Sequence, residues 1–258
     1  MNFLNTIIEH KKREVAAAKM WLPLERLRPM ALRDRKRRPF KQKLRRPGIN
    51  IIAEIKRTSP SKGTIRSDLD PARYAAAYEQ GGAAALSVLT DQAFFRGSIE
   101  DLQAARRASA LPVLRKDFTI DPYQIYESAA MGADAVLLIV RILSKEQLTQ
   151  YLTLSRELGL DTLVEINSEE DLEAAAEAGA ELIGINNRNL QSFDTDVGTA
   201  ARLSRLLEPH QIPVAASGIR TREDIENTLQ AGIHNFLIGE SLVRAEDPVQ
   251  FLQTLLGR

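Results

Sequence analysis

The sequence predicts an α/β protein, a (β/α)8 barrel of the TIM type with an N-terminal helical extension. From residue 50 onward, short apolar runs alternate with helical patterns, which is typical of a parallel sheet covered by helices. The length, 258 residues, matches the usual size of one such barrel. We therefore expect a single domain over residues 1–258, with the extension at 1–48 and the barrel at 49–258.

The extension divides into two parts. Residues 2–20 predict an amphipathic helix, because apolar side chains such as Leu4 and Ile7 fall on one face and basic side chains on the other. Residues 26–46 are strongly basic, contain one acidic residue, Asp34, and are interrupted by prolines. This composition indicates short helical pieces in a solvated segment.

Eight candidate strands follow the extension. Their apolar runs begin near Asn50, Ala83, Pro112, Asp134, Asp161, Glu181, Ile212 and His234. Helix starts are indicated by an aspartate before a proline, or by a serine or threonine cap, at Asp70, Asp121, Ser144, Ser168, Thr221 and Asp247. Helix ends are indicated by glycines two residues before a strand, at Gly132, Gly159, Gly179 and Gly232. Eight units favour a closed barrel over an open doubly wound sheet, which usually carries a GxGxxG loop that this sequence lacks.

Composition excludes several kinds of site. The sequence has no cysteine, so disulfides, thiolate nucleophiles and cysteine-based metal sites are excluded. His10, His210 and His234 are far apart without ligand spacing, so we expect no metal site. The N-terminus does not resemble a signal peptide, and no apolar run reaches the roughly 18 residues of a membrane span. We expect a cytoplasmic protein with no membrane partner.

The active site of such a barrel lies at the C-terminal ends of its strands. The sequence places there Glu54, Lys56, Lys116, Glu165, Asn186 and Arg188. Glu54 and Lys56 are two residues apart, so they point to the same side of strand 1 as Ile52. Ionised groups are costly in a barrel interior unless they are paired. The cluster is therefore either a buried ion-pair network or a catalytic site, and four charged groups on three strand ends favour the catalytic site.

The loops after strands 7 and 8 usually bind phosphate in this fold. Here they carry Ser217, Gly218, Gly239 and Ser241. Glycine lets backbone N–H groups approach an anion, and the following helix N-terminus favours negative charge. The alternative is that both glycines serve tight turns. The polar loop 57–63 is either an ordinary surface loop or a lid, from which Ser59 could reach the phosphate.

Seven segments of the barrel carry a specific resemblance. They are IIAEIKRTSPSKG (51–63), AAAYEQGGAAALSVLTDQAFFRGS (75–98), PVLRKDFTIDPYQIYE (112–127), GADAVLLI (132–139), LVEINS (163–168), GINNRNL (184–190) and SGI (217–219). Together they resemble the indole-3-glycerol-phosphate synthases, and the extension is similar too. The resemblance implies decarboxylating ring closure of 1-(2-carboxyphenylamino)-1-deoxyribulose 5-phosphate to indole-3-glycerol phosphate, carbon dioxide and water, in tryptophan biosynthesis and without a cofactor.

The resemblance also implies a role for each residue. Lys116 would protonate the substrate carbonyl, with a pKa lowered by neighbouring cations. Glu165 would act as general base or stabilise positive charge on nitrogen. Lys56 would bind the substrate carboxylate beside Glu54, and both would serve the later dehydration. Asn186 and Arg188 would orient the substrate. The phosphate would contact Ser59, Ser217, Gly218, Gly239 and Ser241, and the anthranilate ring would contact Phe94, Phe118 and Leu137.

One position departs from the family pattern. The family usually has glutamate before the Ser-Gly of strand 7, where this chain has Ala216. Without that carboxylate, nearby lysines should lose a proton more readily. The departure leaves open a silent barrel that only binds phosphate ligands, although the intact Lys56, Lys116 and Glu165 argue against it.

Two further alternatives have less support. Phosphoribosylanthranilate isomerases share the fold but act through a cysteine, which this chain lacks. The basic segment 26–46 suits a nucleic-acid-binding arm, but Phe40 is its only aromatic residue, so base stacking has little support. We favour a solvated segment whose cations attract the anionic substrate. We expect a monomer that binds a small phosphosugar–anthranilate substrate and no nucleic acid.

Overall fold

The computed structural model describes residues 3–33, 36–189 and 194–258. Within these residues, parallel strands close into an eight-stranded barrel in which the last strand pairs with the first. The strands are β1 (Asn50–Ile55), β2 (Ala85–Leu89), β3 (Val113–Lys116), β4 (Ala135–Ile139), β5 (Asp161–Ile166), β6 (Leu182–Asn186), β7 (Ile212–Ala216) and β8 (Asn235–Ile238). The predicted (β/α)8 barrel is confirmed, and each strand begins within two residues of its predicted start.

Most helices cover the outside of the barrel, and two of them lie at its ends. In the described residues they are α1 (Phe3–Trp21), α2 (Leu24–Ala31), α3 (Phe40–Leu44), α4 (Pro71–Gly81), α5 (Gln92–Phe95), α6 (Ile99–Ala108), α7 (Pro122–Met131), α8 (Lys145–Glu157), α9 (Glu169–Glu177), α10 (Gly198–Ser204), α11 (Arg222–Leu229), α12 (Glu240–Arg244) and α13 (Pro248–Leu256). A short hairpin, Thr58–Ser59 with Gly63–Thr64, follows β1. None of the helices in these ranges is long and apolar enough to cross a membrane.

The predicted caps explain why the helices start and stop where they do. Asp121 accepts a hydrogen bond from the backbone N–H of Tyr123, and the side chain of Gln124 completes a capping box. At the other end of α7, Gly132 adopts a φ of 95°, a left-handed conformation that costs glycine little. The following strand, β4, begins three residues later. Each cap therefore helps to set where the next strand begins, and hence which residue stands at its far end.

Side chains on the strands alternate between two apolar layers. On β1, Ile52 points into the barrel interior with Leu114, whereas Ile51 and Ala53 belong to the layer beneath the helices. This is the predicted alternation. Because Glu54 continues the inward series of Ile52, its side chain belongs to the inside of the barrel near the C-terminal mouth.

The basic segment before β1 closes the opposite end of the barrel. Phe40 and Leu44 of α3 are fully buried in the inner apolar layer, at 0% and 2% exposure. The backbone N–H of Arg38 donates to Asp134 Oδ1, and that of Lys41 donates to Asp161 Oδ2, both at 2.8 Å. These aspartates stand at the N-terminal ends of strands, so α3 forms a floor there.

The prediction of a solvated basic segment was therefore wrong only in part: Arg38 and Lys41 are half-buried, whereas the basic side chains at 26, 28, 33, 36, 45 and 46 are exposed. The Arg38 guanidinium donates to the carbonyls of Leu111 and Arg106, and Lys41 pairs with Glu181 at 3.1 Å. These cations lie at the end of the barrel away from the mouth, so they do not line the substrate's path. Residues 34 and 35 of this segment lie outside the described residues.

The predicted amphipathic helix forms α1, except that residue 2 lies outside the described residues. Its buried face contains Leu4, Ile7, Lys11 and Val15, which are spaced three or four residues apart. The expectation that the basic side chains of this helix face solvent was wrong for Lys11, whose side chain is 0% exposed. A lysine thus occupies an apolar position of this helix.

Candidate active site

Two ion pairs stand at the mouth of the barrel. Lys56 Nζ lies 2.5 Å from Glu54 Oε1, and the side chains are 14% and 5% exposed. The hydroxyl of Ser87 donates to Glu54 Oε2 at 3.4 Å. Lys116 Nζ lies 3.3 Å from Glu165 Oε2. Strands 1, 3 and 5 therefore bring all four predicted charged residues to one place.

Amide groups connect this cluster to the neighbouring loop. Asn186 Nδ2 donates to Glu165 Oε1 at 3.0 Å, while Asn186 Oδ1 accepts from the backbone N–H of Arg188 at 3.0 Å. The Arg188 guanidinium donates to Ser61 Oγ at 3.1 Å and to Thr195 Oγ1 at 3.2 Å. One chain of hydrogen bonds thus runs from Glu165 to the loop that follows β1, and it fixes the orientation of the carboxylate.

The ion pairs shift the pKa values of Glu54 and Lys116. Burial opposes ionisation of Glu54, but attraction by Lys56 and Lys116 outweighs it, so the pKa of Glu54 lies below its ordinary value. Burial likewise opposes the charge on Lys116, but Glu165 and Glu54 outweigh it, and the pKa of Lys116 is raised. The expected lowering of the Lys116 pKa was wrong, because carboxylates, rather than cations, dominate its electrostatic surroundings. Lys116 is a protonated acid at neutral pH.

Gly239 has a steric reason to be glycine. A Cβ atom at this position would lie 2.6 Å from Glu54 Oε1 and 3.2 Å from Glu54 Cδ. Any side chain at 239 would therefore push the Glu54 carboxylate from its place beside Lys56. The glycine that was predicted for phosphate binding also leaves the space that the ion pair needs.

The other predicted phosphate residues lie around the same cavity. Ser217 and Gly218 have positive φ values of 65° and 82°. A positive φ is uncommon for a non-glycine residue such as Ser217. Ser241 Oγ is buried without a hydrogen-bond partner in the described part of the chain. Ser59 is 6% exposed and lies on the hairpin over the mouth. A cradle of backbone and hydroxyl donors therefore stands beside the ion pairs.

One cavity of about 320 Å³ contains both the ion pairs and this cradle. This volume is within the range of small-molecule sites. Ala216 lines it and is 6% exposed, and no acidic side chain stands at this position. Cationic side chains that were not predicted also line the cavity; they are Lys62, Arg220 and Arg244.

One side of the cavity is apolar. We call it the apolar wall; it consists of Leu4, Ile7, Leu89, Phe95 and Phe118. Of the predicted ring-binding residues, Phe118 is part of it. Phe94 and Leu137 are not among the described residues that line the cavity. Instead, Phe94 packs edge-on against Phe3 at 5.6 Å between centroids, and Leu137 is buried in the barrel interior at 1% exposure.

Some of the wall could have been found from the sequence. The apolar face of the first helix requires a partner, and its residues Leu4 and Ile7 meet that requirement at the mouth. Phe95 stands next to Phe94 in the segment after strand 2, but which of the two rings faces inward depends on α5, a four-residue helix. A helix this short has no periodicity from which to predict its inward face.

Comparisons with known proteins agree on one family. The family model described as indole-3-glycerol phosphate synthase matches residues 4–255. The chain is 58% identical over 259 residues to the indole-3-glycerol phosphate synthase of Desulfosudis oleivorans, covering 99% of this chain and 98% of that protein. It is 54% identical to the indole-3-glycerol phosphate synthase of Syntrophobacter fumaroxidans, with the same coverage.

Solved structures of more distant proteins share the fold. A thiamine phosphate pyrophosphorylase from Pyrococcus furiosus is 16% identical, with a TM-score of 0.62, over 84% of this chain and 96% of that one. An N-acetylmannosamine-6-phosphate 2-epimerase from Clostridium perfringens is 16% identical, with a TM-score of 0.58, over 74% of this chain and 86% of that one. At such identities the likeness concerns the fold alone.

Proposed function

The chain belongs to the indole-3-glycerol phosphate synthase family, and from this we propose how the residues at its mouth carry out the family's reaction. The reaction converts 1-(2-carboxyphenylamino)-1-deoxyribulose 5-phosphate to indole-3-glycerol phosphate, carbon dioxide and water, in tryptophan biosynthesis. It forms and breaks a carbon–carbon bond, which makes the enzyme a lyase. The substrate combines a phosphate, a carboxylate and an aromatic ring, and the cavity offers a matching surface to each.

The phosphate is held by the cradle. The backbone N–H groups near Gly218 and Gly239 and the hydroxyls of Ser59, Ser217 and Ser241 are its donors. The buried, unpartnered hydroxyl of Ser241 supports this assignment, because a buried polar group usually has a partner and a bound phosphate would supply one. The anthranilate ring lies against the apolar wall. Held at both ends, the substrate keeps its reacting carbons close together.

Ring closure uses the second ion pair. Lys116 donates a proton to the carbonyl oxygen as the ring carbon that bears the carboxylate attacks the carbonyl carbon. The new carbon–carbon bond becomes permanent when carbon dioxide leaves and the ring regains its electron pair. Glu165, held by Asn186, stabilises the positive charge that develops on nitrogen. Arg188 orients the sugar chain.

Dehydration uses the first ion pair. Lys56 binds the substrate carboxylate before decarboxylation and then protonates the departing hydroxyl group, which leaves as water. Glu54 accepts the proton that leaves the carbon beside nitrogen. The distance of 2.5 Å between Lys56 and Glu54 supports this sharing of acid and base work.

The observation that carries this proposal is the meeting of the Lys116–Glu165 pair, the Lys56–Glu54 pair and the phosphate cradle in one cavity. Its test is to mix the protein with the carboxyphenylamino substrate and follow indole fluorescence. Removing a general acid typically costs 10²- to 10⁴-fold in rate, so we expect a loss of about that size in Lys116→Ala. The exposed Lys145→Ala serves as the control. Equal rates for the two variants would contradict the role of Lys116, and an inactive wild type would contradict the function.

We also propose a monomeric, cytoplasmic enzyme in which extension and barrel form one domain that binds no nucleic acid. The contacts of α1 with the mouth and of α3 with the floor support the single domain. The hydrogen bonds that hold Arg38 and Lys41 against the N-terminal end of the barrel support the absence of a nucleic-acid arm. Light scattering will test the monomer. Filter binding of DNA and RNA at low and moderate salt will test whether the basic segment is a nucleic-acid-binding arm. Tight, salt-sensitive binding would support such an arm.

A further inference from the structure

The side chain of Lys11 is buried between three carboxylates. Its ammonium lies 2.8 Å from Asp91 Oδ2, 2.9 Å from Asp117 Oδ1 and 2.9 Å from Glu14 Oε1. The ammonium donates hydrogen bonds to both carboxylate oxygens of Glu14, at 2.9 Å and 3.0 Å, and its contacts with Asp91 and Asp117 are ion pairs. Burial opposes the charge, but Asp117 and Asp91 outweigh it and raise the pKa of Lys11 above its ordinary value. Lys11 is therefore protonated at neutral pH.

The first partner, Asp91, controls the position of α5. Its Oδ1 atom accepts a hydrogen bond from the backbone N–H of Phe94 at 2.8 Å, and so it caps this helix. Its other oxygen, Oδ2, faces Lys11. The next residue of α5, Phe95, belongs to the apolar wall. One carboxylate thus joins the start of α5 to α1.

The second partner, Asp117, stands between the catalytic Lys116 and the wall residue Phe118. Its Oδ1 atom accepts from the backbone N–H of Phe118 at 2.8 Å and also faces Lys11. Its Oδ2 atom accepts from Thr90 and from the guanidinium of Arg115, at 2.6 Å and 3.1 Å. These contacts fix the backbone that presents Phe118 to the cavity.

We propose that Lys11 is a positioning residue that holds together three of the four elements of the apolar wall: α1 with Leu4 and Ile7, α5 with Phe95, and the end of β3 with Phe118. One helical turn separates Lys11 from Ile7, so the anchor and the wall lie on the same face of α1. The three carboxylates around the ammonium do not line the cavity, so the anchor acts on the ring through the wall. The inference rests on the proposed function, because it assigns the wall to the substrate's aromatic ring.

The test separates the two halves of the substrate. Lys11→Met keeps an unbranched side chain but removes the charge. The matched control is Lys12→Met, which removes a lysine that is 60% exposed and pairs with Glu9 on the same helix. Calorimetry will measure two dissociation constants for each protein, one for indole-3-glycerol phosphate and one for inorganic phosphate. We expect Lys11→Met to weaken indole-3-glycerol phosphate binding at least tenfold and to leave phosphate binding within twofold.

A second variant guards against loss of folding in the first. Asp91→Asn keeps an oxygen that can cap α5, and Lys11 keeps Asp117 and Glu14 as partners. We expect Lys11→Met to raise KM for the carboxyphenylamino substrate and Asp91→Asn to raise it by less, with kcat of Asp91→Asn within about twofold of wild type. Lys12→Met should match wild type in every measurement.

The results distinguish the positioning role of Lys11 from the proposed function of the enzyme. If wild type turns over the substrate while Lys11→Met and Asp91→Asn match it in KM, the proposed positioning role of Lys11 is wrong and the proposed function is retained. Equal weakening of phosphate and indole-3-glycerol phosphate in a folded Lys11→Met would also overturn the anchor, because it would show a general loss of structure. A wild type that binds neither ligand would remove the proposed function itself.

Discussion

Replacing Gly239 by alanine should disable the site through Glu54. The added Cβ would lie 2.6 Å from Glu54 Oε1, whereas ordinary contact begins near 3.4 Å, so the oxygen must retreat by roughly 0.8 Å. Glu54 Cβ is also close, at 3.1 Å, so the whole side chain must move. Its partner Lys56, now 2.5 Å away, would lose its present geometry.

The size of the effect follows from this displacement. Misplacement of a catalytic group by about 1 Å can cost on the order of 100-fold in rate. We therefore expect kcat/KM of Gly239→Ala to fall roughly 100-fold, which corresponds to about 2.7 kcal/mol of transition-state stabilisation. The substitution lies next to the phosphate cradle, so the competitive inhibition constant of inorganic phosphate is measured alongside. A change of less than about threefold in that constant would locate the damage at Glu54.

A double-mutant cycle makes the reasoning refutable. In a Glu54→Ala background the displaced carboxylate is absent, so adding Gly239→Ala should cost little more. Indole fluorescence at raised enzyme concentration can measure the slow variants. If the two single losses multiply in the double variant, the substitutions act independently and the steric explanation is wrong.

Three further predictions concern charge and packing. Ala216→Glu adds a carboxylate to the cavity, so nearby lysines should hold their protons more tightly. The alkaline limb of the pH–rate profile should therefore move to higher pH than in wild type. Superimposable profiles for the two proteins would refute this. Phe40→Ala should lower the free energy of unfolding, measured in urea, by about 3–5 kcal/mol and leave kcat/KM nearly unchanged. The control is Trp21→Ala, which replaces an exposed side chain. A large loss of activity in folded Phe40→Ala would contradict a purely structural role of the floor. Ion pairs lower the pKa of Asp117 from 3.8 to about 2. Because the pKa is lower in the folded state, the ionised carboxylate adds about 2 kcal/mol to the free energy of unfolding above pH 4, and this contribution is lost as the pH falls toward 2. In Asp117→Asn the free energy of unfolding should therefore depend less on pH in this range. An unchanged pH dependence would count against the prediction.

The elements of the barrel were predictable because their signals are local. A cap such as Asp121 and a terminating glycine such as Gly132 act within a few residues, so a reader of the sequence sees the whole interaction. Strand ends follow from these boundaries, and the barrel then brings Glu54, Lys116 and Glu165 together. The charged part of the site could thus be assembled from the sequence.

The rest of the site depends on partners that are distant in the sequence. Lys11 is buried because carboxylates from two other loops meet it, and the sequence shows only a lysine in an apolar stripe. That position was a usable signal, since Ile7, Lys11 and Val15 are four residues apart. The sign of the Lys116 pKa shift likewise depends on distances to Glu165 that only the folded chain defines.

The floor of the barrel has a consequence for how the protein is made. Arg38 and Lys41 leave the ribosome long before their partners, because Asp134 lies 96 residues after Arg38, and Asp161 and Glu181 lie 120 and 140 residues after Lys41. The positively charged segment therefore lacks these partners while most of the chain is synthesised. Contacts between such distant residues form slowly, so we expect the base of the barrel to be sealed late, after the sheet has curved round on itself.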